Sequence, residues 1–481
     1  MVNQKPGFLA EKPGFFVKGG NVRDQMMKAL SHSHADFTDI RLEREWRTTV
    51  QYRGKNLENL EASVGSGGIV RCLVNNGWGF AVFNTLADLP GRVEEAYEIA
   101  RLVGSRTTEV VELAPVAPVD DVVRVQLERD PRSVPLQEKQ ALVQGYNDIL
   151  LGYDPRIVTT QARYTDFFKE VTIANSEGSY VTEEQADVTL YLAATARDGQ
   201  DNIQTGFESD GRMAGFEAVQ GREAQAEIAA RRALDLLDAR PATGGVYSVV
   251  LNPRLAGVLI HEAFGHLCEA DFISKNARLR EVLRPGRRFA VDELTVIDEG
   301  YLPGLRGNYK YDDEGTPRQR AYLIRNGILE GFLHSRETAA RMGAAPTGNA
   351  RAVSYRFEPI VRMRNTYIDK GTVPFSDMIR DIDRGIYALD AFGGNTMLEQ
   401  FTFSAGYAYE IVDGQIGGMV RDVVLTGNIF DILKGVDAVG DDLEIEGSAG
   451  GCGKGGQYPL PTTMGGPHVR IRNVAVGGRA S

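Results

Sequence analysis

The hydrophobic pattern of this chain changes at residues 240–245, RPATGG, where proline and glycine interrupt a strongly helical stretch. Before this break, runs of period-two alternation are mixed with amphipathic helical segments, which predicts an α+β unit. After it, one apolar strand and one helix precede many short β-like runs separated by glycine, proline and Asp/Asn turns. We therefore predict an α+β fold with a leader at 1–20, an α+β N-terminal domain at 21–240 and a mainly antiparallel-β C-terminal domain at 246–481.

Several segments of the N-terminal half have the period of a strand. Alternation is clearest from Ile40 to Tyr52, where apolar side chains fall on even positions and predict a half-buried strand. The leader contains KPGF twice, which is too little for a repeat architecture. Further strands joined by the glycine-rich turns of hairpins are predicted at 58–64, 68–74 and 79–84.

The composition excludes several classes of protein. A net charge of −11 without a basic block argues against nucleic acid as a main partner. No stretch approaches the roughly 18 consecutive apolar residues of a membrane span, and the N-terminus lacks the apolar core of a signal peptide. Three cysteines cannot form a disulfide framework in 481 residues, which indicates a reducing, cytoplasmic setting.

Glycine is in excess, and part of the excess is local. The chain has 54 glycines, six of them among the ten residues Gly447–Gly456. Such a segment is compatible with a flexible linker. Glycine also lets backbone approach a ligand closely and presents N–H groups for hydrogen bonding. We favour this second interpretation, in which the cluster is a binding segment.

One predicted helix carries candidate catalytic chemistry. Asn252 and Pro253 are typical of a helix start, with Asn at the N-cap and Pro at the first helical position. The helix continues into His261, Glu262 and His266, an H-E-x-x-x-H pattern that uses two of the six histidines. Imidazole is a common zinc ligand, and an adjacent carboxylate can act as general base on a metal-bound water. The pattern predicts a metal site, with an incidental histidine pair as the alternative.

The spacing of the two histidines requires a distorted helix. Residues at i and i+4 are about 40° apart on a regular α-helix, whereas His261 and His266, at i and i+5, are about 140° apart. Their imidazoles converge only if the turn is widened by a π-bulge, which also tends to occur at functional sites. Gly265 makes that distortion less costly. We therefore predict a widened turn between His261 and His266.

A zinc site needs a third protein ligand and leaves a fourth position for water. Cys268 lies seven residues after His261, about 10 Å along a helix axis, so we assign it to buried packing. Cys452, in the middle of the glycine cluster, is the better candidate. The alternatives that stay open are His468, Glu269 and Asp271.

At these residues the sequence resembles the TldD/PmbA family of metallopeptidases, also described as modulators of DNA gyrase. The resemblance rests above all on HEAFGHLCEADF at 261–272 and GSAGGCGKGGQ at 447–457. Each motif alone is weak, whereas their combination is highly specific. From about residue 36 to the C-terminus it also includes DDEGTP at 312–317, PTGNARAVSY at 346–355, RMRNTYI at 362–368 and GSGGIVRCLVNNGWGFA at 65–81.

The resemblance implies a TldD-type catalytic subunit, because the partner type, TldE/PmbA, lacks the histidine motif. It implies that His261, His266 and Cys452 bind zinc and that Glu262 is the catalytic base. It further implies a homodimer, or a heterodimer with a metal-free TldE/PmbA-type subunit, that encloses a cavity for unfolded or short peptides. Cys268 departs from the small or apolar residue expected there, without affecting the ligands.

The expected reaction is hydrolysis of a peptide bond, with zinc activating a water and Glu262 moving its proton. The oxyanion needs further donors, for which we expect the backbone N–H groups of Gly451 and Gly453 and the ammonium of Lys454. Tyr355 and Asn349 are candidate polar contacts to the substrate, although a structural tyrosine and a turn asparagine are equally good interpretations. Short glycine-flanked strands can also pair with an extended peptide.

Two other functions are compatible with the sequence. One is a non-catalytic binding or regulatory protein, but such a protein has no need of Glu262 between two histidines. The other is a metal-dependent amidase that acts on modified peptides. Zinc analysis combined with digestion of an unfolded peptide separates the three.

Overall fold

The computed structural model describes residues 21–199, 201–397 and 399–477. The predicted leader at 1–20, with both KPGF copies, lies outside these residues. No helix in the described ranges is long and apolar enough to cross a membrane.

The N-terminal half is built on one sheet. Its strands are β1 (Phe37–Arg53), β2 (Asn56–Val74), β3 (Gly77–Phe83), β4 (Asp120–Val123), β5 (Ile157–Asn175), β6 (Tyr180–Arg197) and β7 (Ile203–Arg212). Among the described residues these seven strands follow the order β3–β2–β1–β5–β6–β4, and β7 also pairs with β6. All pairs are antiparallel except β4 with β6.

In the described part of the N-terminal half, four α-helices cover the apolar side chains of this sheet. They are α1 (Val22–Leu30), α2 (Leu89–Gly104), α3 (Leu136–Gly152) and α4 (Glu223–Asp238). Helices α1 and α2 share a core with β1–β3, and α3 and α4 share another with β5 and β6. The alternation of the long strands therefore buries one set of side chains under helices, as an α+β unit requires.

The predicted separate strands at 58–64 and 68–74 are one continuous strand, β2. The expected hairpin turn at the intervening glycines is wrong, because these glycines serve close packing within the strand. A Cβ on Gly67 would lie 2.1 Å from the ring of Tyr355, and one on Gly68 would lie 2.4 Å from the ring of Phe83. Glycine inside a strand often marks such a close approach.

The C-terminal half contains short strands in several sheets. They are β8 (Arg240–Pro241), β9 (Gly245–Leu251), β10 (Val296–Glu299), β11 (Arg320–Arg325), β12 (Ile328–Leu329), β13 (Ala350–Arg351), β14 (Ile360–Val361), β15 (Asn365–Ile368), β16 (Arg384–Met397), β17 (Gln400–Val412), β18 (Gln415–Arg421), β19 (Val424–Asn428), β20 (Val436–Val439), β21 (Glu444–Glu446), β22 (Cys452–Lys454), β23 (Gln457–Leu460), β24 (Thr463–Gly466) and β25 (Val469–Gly477). The helices are α5 (Pro253–Ile260), α6 (Ala270–Ser274), α7 (Ala277–Val282), α8 (Arg336–Met342), α9 (Phe375–Ile379) and α10 (Ile429–Gly435).

Two larger sheets enclose helix α5. Within the described ranges, an eight-stranded sheet runs β16–β9–β25–β19–β17–β18–β8, with β20 beside β25, and a six-stranded sheet runs β12–β11–β10–β15–β24–β21. Most pairs are antiparallel, and β9–β16, β15–β24 and β8–β18 are parallel. Helix α5 packs so closely on β24 that a Cβ on Gly257 would lie 2.5 Å from the Gly465 nitrogen.

The predicted α+β fold with a mainly antiparallel C-terminal half is confirmed. The domain boundary at 240–245 stays a prediction. Buried ion pairs join the residues before and after it: Arg71 with Glu314 at 3.3 Å and Arg306 with Asp187 at 2.7 Å.

Candidate metal centre

The helix that begins at Asn252 widens where the histidines lie. Asn252 accepts a hydrogen bond from the Leu255 N–H at 2.9 Å and caps α5, as predicted. Beyond Ile260 the chain forms a π-helical turn, His261–Gly265, in which the His266 N–H donates to the carbonyl five residues earlier. This turn brings i and i+5 to the same side, and the two imidazole centroids are 5.1 Å apart. The predicted widened turn is confirmed.

Three candidate ligands come together at this turn. One donor atom from each of His261, His266 and Cys452 lies within 4.8 Å of the others, and no other such group occurs within residues 21–199, 201–397 and 399–477. Cys452 Sγ is 3.4 Å from His266 Nε2. Two imidazoles and a thiolate are a donor set that zinc accepts.

The electrostatics of these side chains suit a metal. His261 is fully buried, and neither of its ring nitrogens has a hydrogen-bond partner among the residues that the structure describes. Buried polar atoms without partners are costly and rare, and a cation between the three side chains would supply the missing partner. Burial alone raises the pKa of the Cys452 thiol, but the imidazoles of His261 and His266 outweigh burial and lower it to about 5. Cys452 is therefore ready to be a thiolate ligand.

Glu262 is a half-buried residue next to fully buried ones. Its side chain is 34% exposed, and its Oε2 lies 3.8 Å from His266 Nε2. The carboxylate is thus beside the donor atoms and in reach of solvent. A base that exchanges protons with a water needs such a position.

A buried network orients His266 from behind. Glu269, which has no exposed surface, accepts from His266 Nδ1 at 2.9 Å and from Lys454 Nζ at 3.0 Å. Lys454 also donates to Asp271 at 2.7 Å and to the Val361 carbonyl at 2.7 Å. An imidazole whose Nδ1–H is held by a carboxylate presents Nε2 to a metal, and Nε2 is the nitrogen that faces Cys452.

Glu269 and Asp271 were open alternatives for the third ligand, and the structure places both on Lys454. The three protons of the ammonium are taken by Glu269, Asp271 and Val361. The expected donation from Lys454 to an oxyanion therefore has no free proton here.

Cys452 lies on the hairpin formed by β22 and β23. The side chain of Arg362, which has no exposed surface, donates to the Cys452 carbonyl at 2.7 Å. Asn349 in turn donates its side-chain amide to the Arg362 carbonyl at 2.9 Å and to Asp298 at 2.9 Å. Asn349 is only 1% exposed. Its expected contact with substrate is replaced by a structural one, because the interior takes its amide protons.

Of the remaining predicted residues, some lie apart from the three donor atoms and two glycines lie beside Cys452. His468 pairs with Asp442 at 2.5 Å and with Tyr387 at 2.8 Å, so both of its nitrogens have partners elsewhere. Tyr355 donates to Asn84 at 2.9 Å. Cys268 is fully buried in the core, as expected for packing. On the hairpin, Gly451 is half-buried and Gly453 is exposed.

Arg362 and the orienting role of Glu269 escaped the sequence reasoning. Both residues lie inside motifs that were noted, HEAFGHLCEADF and RMRNTYI. The sequence shows only that these charged residues lie beside apolar ones, and this does not indicate which groups they contact. Their roles depend on chain segments that meet only in three dimensions.

Comparisons with known proteins identify the family of the chain. Three family models match the chain: PmbA/TldA metallopeptidase domain 1 at 38–100, the central domain at 129–237 and the C-terminal domain at 244–478. The fold resembles a proposed modulator of a DNA gyrase from Thermotoga maritima (TM-score 0.76, 19% identity, 95% of this chain and 100% of that one). It also resembles TldE from Thermococcus kodakarensis (TM-score 0.74, 19% identity, 95% and 99%). At these identities the likeness concerns the fold alone.

Sequence relatives cover nearly the whole chain. A metalloprotease of Synechocystis sp. is 44% identical over 93% of this chain and 96% of its own length. A metalloprotease of Methanothermobacter thermautotrophicus is 37% identical over 92% and 96%, and a metalloprotease TldD homolog of Buchnera aphidicola is 30% identical over 87% and 88%. The chain therefore belongs to the PmbA/TldD family of metallopeptidases and is a peptidase.

Proposed function

We propose that this peptidase is a zinc enzyme in which His261, His266 and Cys452 bind the metal and Glu262 is the general base. The observation that carries the proposal is the convergence of three donor atoms, one of them from buried His261, whose ring nitrogens have no partner in the described part of the chain. When bound, zinc supplies Lewis acidity that acidifies water and polarises the scissile carbonyl.

The residues of the chain orient the ligands and transfer the proton. Glu262 accepts a proton from the attacking water and returns it to the amine that leaves, so that the carboxylate is regenerated after each cleavage. Glu269 holds the Nδ1–H of His266 and thereby keeps Nε2 directed at the site. For Lys454 we propose a positioning role in place of the expected oxyanion contact, because its ammonium neutralises Glu269 and Asp271.

The substrates proposed are unfolded or short peptides, bound in extended form. Within the described residues, β22 pairs with β23 alone. Because Arg362 binds the Cys452 carbonyl, we propose that the main chain of a peptide pairs with β22 at Gly453 and Lys454. The N–H groups of Gly451 and Gly453 are the proposed oxyanion donors, and Tyr355 stays a candidate substrate contact. Recognition through main chain reads little sequence, so specificity should be broad.

We further propose that the chain works as a homodimer, or as a heterodimer with a metal-free TldE/PmbA-type subunit, around a cavity that excludes folded proteins. The shared fold with a TldE protein supports this pairing. Three free cysteines support a reducing, cytoplasmic setting. Light scattering after gel filtration measures the mass of the purified chain, and an active dimer of this chain alone would contradict an obligatory partner.

Replacing Glu262 by Gln tests the function. The variant should retain one zinc per chain in metal analysis and lose at least 100-fold in cleavage of an unfolded peptide, because proton transfer contributes about 10²–10⁴-fold. The exposed Glu281→Gln is the matched control and should cleave normally. Cleavage by Glu262→Gln at the parent rate would contradict the base assignment.

The same assay distinguishes the other functions. A parent chain that binds zinc and peptide without any turnover would indicate a regulatory subunit. Turnover confined to modified peptides would indicate an amidase. Either result would replace the proposed function.

A further inference from the structure

The glycine-rich segment that leads to Cys452 lies against the N-terminal sheet. A Cβ on Gly447 would be 1.8 Å from the carbonyl oxygen of Gly211, the residue before the end of β7. Two residues on, the Ala449 N–H donates to Ser209 Oγ on the same strand at 2.7 Å. The segment is therefore seated on β7, which belongs to the other half of the chain.

One buried arginine joins this segment to the same sheet. Arg306 is 4% exposed and donates through Nε and Nη2 to the two carboxylate oxygens of Asp187 on β6, both at 2.7 Å. Its Nη1 donates to the Ser448 carbonyl at 2.5 Å and also to the Gly450 carbonyl. A single guanidinium thus binds a carboxylate of one half and two backbone carbonyls of the other.

The bound carbonyls alternate along the segment. Arg306 takes those of Ser448 and Gly450, and Arg362 takes that of Cys452. The two arginines therefore bind the backbone of the segment at every second residue from Ser448 to the proposed ligand itself.

We propose that Arg306, held by Asp187, is a positioning residue that keeps Cys452 beside His261 and His266, so that the N-terminal half sets the metal affinity of the C-terminal half. This inference rests on the proposed function, in which Cys452 binds zinc. Glycine has more backbone freedom to lose than any other residue, so a glycine-rich segment is costly to order. A segment with six glycines in ten residues would present its thiol poorly without these contacts.

The carboxylate of Asp187 is what makes the arrangement stable. A buried guanidinium without a charged partner is strongly unfavourable, and its bidentate pairing also fixes its orientation. Asp187→Asn keeps the size of the side chain but removes the charge and one acceptor, so Arg306 should no longer hold Ser448 and Gly450 firmly.

Zinc titration of the full chain with a competing chelator tests the inference. Asp187→Asn should raise the zinc Kd by at least 10-fold, as loss of an outer-shell partner does in other sites. The matched control is Glu314→Gln, which also removes a buried carboxylate that pairs with an arginine across the two halves, Arg71, but does not touch the glycine segment. Its zinc Kd should stay within 2-fold of the parent. Arg306→Lys, which keeps the charge without the fork, should behave like Asp187→Asn.

Hydrogen exchange of the metal-free chain provides a second measurement. It separates the ordering of 447–454 by Arg306 and Asp187 from a general loss of stability. Amides of 447–454 should exchange at least 10-fold faster in Asp187→Asn than in Glu314→Gln, whereas amides of β1 should exchange alike in the two variants. Equal zinc Kd values for Asp187→Asn and Glu314→Gln, or equal exchange of 447–454, would overturn the inference.

The proposed function can fail separately. If the parent binds no zinc, or if Cys452→Ala binds it as tightly as the parent, the metal assignment is wrong. In that case the exchange of 447–454 still decides whether Arg306 and Asp187 order the segment. If they do not, the positioning role of Arg306 and Asp187 is overturned as well.

Discussion

His261 has the most demanding environment of the candidate ligands. It is fully buried, and its two nitrogens have no partner among the described residues, whereas His266 has Glu269 and His468 has Asp442 and Tyr387. An imidazole in such a position destabilises the fold unless something binds it. This difference, more than the motif, sets His261 apart from His266 and His468.

Removal of Cys452 should weaken the metal site without unfolding the chain. In Cys452→Ala we expect zinc content after dialysis to fall well below one per chain, because two imidazoles alone leave the ion with too few protein ligands. Cys268→Ala, a buried cysteine in the core outside the donor group, serves as the control and should keep its zinc. Unchanged zinc content in Cys452→Ala would redirect the search to His468, Glu269 or Asp271.

His334 should make the protein less stable in mild acid. Burial lowers the pKa of this imidazole to about 4, whereas the unfolded chain binds the proton near its ordinary pKa of about 6.5. The unfolded state therefore takes up the proton first, and the stability that His334 contributes above pH 6.5 is lost as the pH falls toward 4. At pH 5 the loss relative to pH 7.5 is about 2 kcal/mol.

This prediction is checked by urea unfolding of the parent and of His334→Gln at pH 7.5 and pH 5. The difference in unfolding free energy between the two pH values should shrink by about 2 kcal/mol in the variant. His34→Gln, at an exposed position, should leave that difference unchanged. An equal pH dependence in His334→Gln and the parent would contradict the assignment.

At the scale of elements, helix α5 packs tightly on β24 just before the π-helical turn. Gly257 on α5 faces Gly465 on β24, and a Cβ on Gly257 would lie 2.5 Å from the Gly465 nitrogen. The His261 N–H donates to the Gly257 carbonyl, so the same residue anchors the start of the widened turn.

Gly257→Ala should therefore destabilise the protein by about 1–3 kcal/mol, because the clash is with backbone that cannot rotate away. Gly145→Ala in α3 is the matched control, since nothing lies within 4 Å of its added Cβ and the position is exposed. It should be stabilising by about 0.5–1 kcal/mol. Thermal or urea unfolding measures both, and a neutral Gly257→Ala would contradict the close packing.

At the scale of the molecule, buried charges tie the two halves together. Three arginines that are each at most 5% exposed form ion pairs between the two halves. The pairs are Arg41 with Asp313, Arg71 with Glu314 and Arg306 with Asp187. Separation of the halves would break these three pairs, although Arg71 would keep Asp39 and Arg41 would keep Glu43. Loss of a partner is unfavourable where a charge stays buried. The halves should therefore unfold together, although each has its own core.

Calorimetry checks this expectation. The parent chain should show one transition whose calorimetric and van't Hoff enthalpies agree, as for a single cooperative unit. Two resolved transitions would contradict it and would favour independent domains divided at 240–245. Glu314→Gln should lower the transition temperature without splitting the transition, because the other cross-pairs persist.

The fold class and the widened turn could be inferred from sequence because both follow from local periodicity. Alternation over Ile40–Tyr52 correctly predicts a strand, although the polar residues Arg41 and Glu43 at its start are buried as well. The spacing of His261 and His266 allows convergence only on a π-helical turn. Local periodicity failed at Gly67 and Gly68, where glycines typical of a turn serve a strand that must admit Tyr355 and Phe83. The sequence around Gly67 does not indicate contact with the ring of Tyr355, which lies more than 280 residues away in the chain.

The sequence by itself determined which chemical groups the site can use: two of the six histidines, a glutamate, and a cysteine within a glycine cluster. Only the tertiary structure decided how these residues are held. Lys454 and Asn349 looked like substrate contacts, yet their protons are taken by Asp271, Asp298 and buried carbonyls. Arg306 and Arg362 had no visible role, yet they bind the backbone that carries Cys452. The physical reason is that a side chain's hydrogen-bond partners depend on which distant segments are packed against it, and a linear pattern does not contain that information.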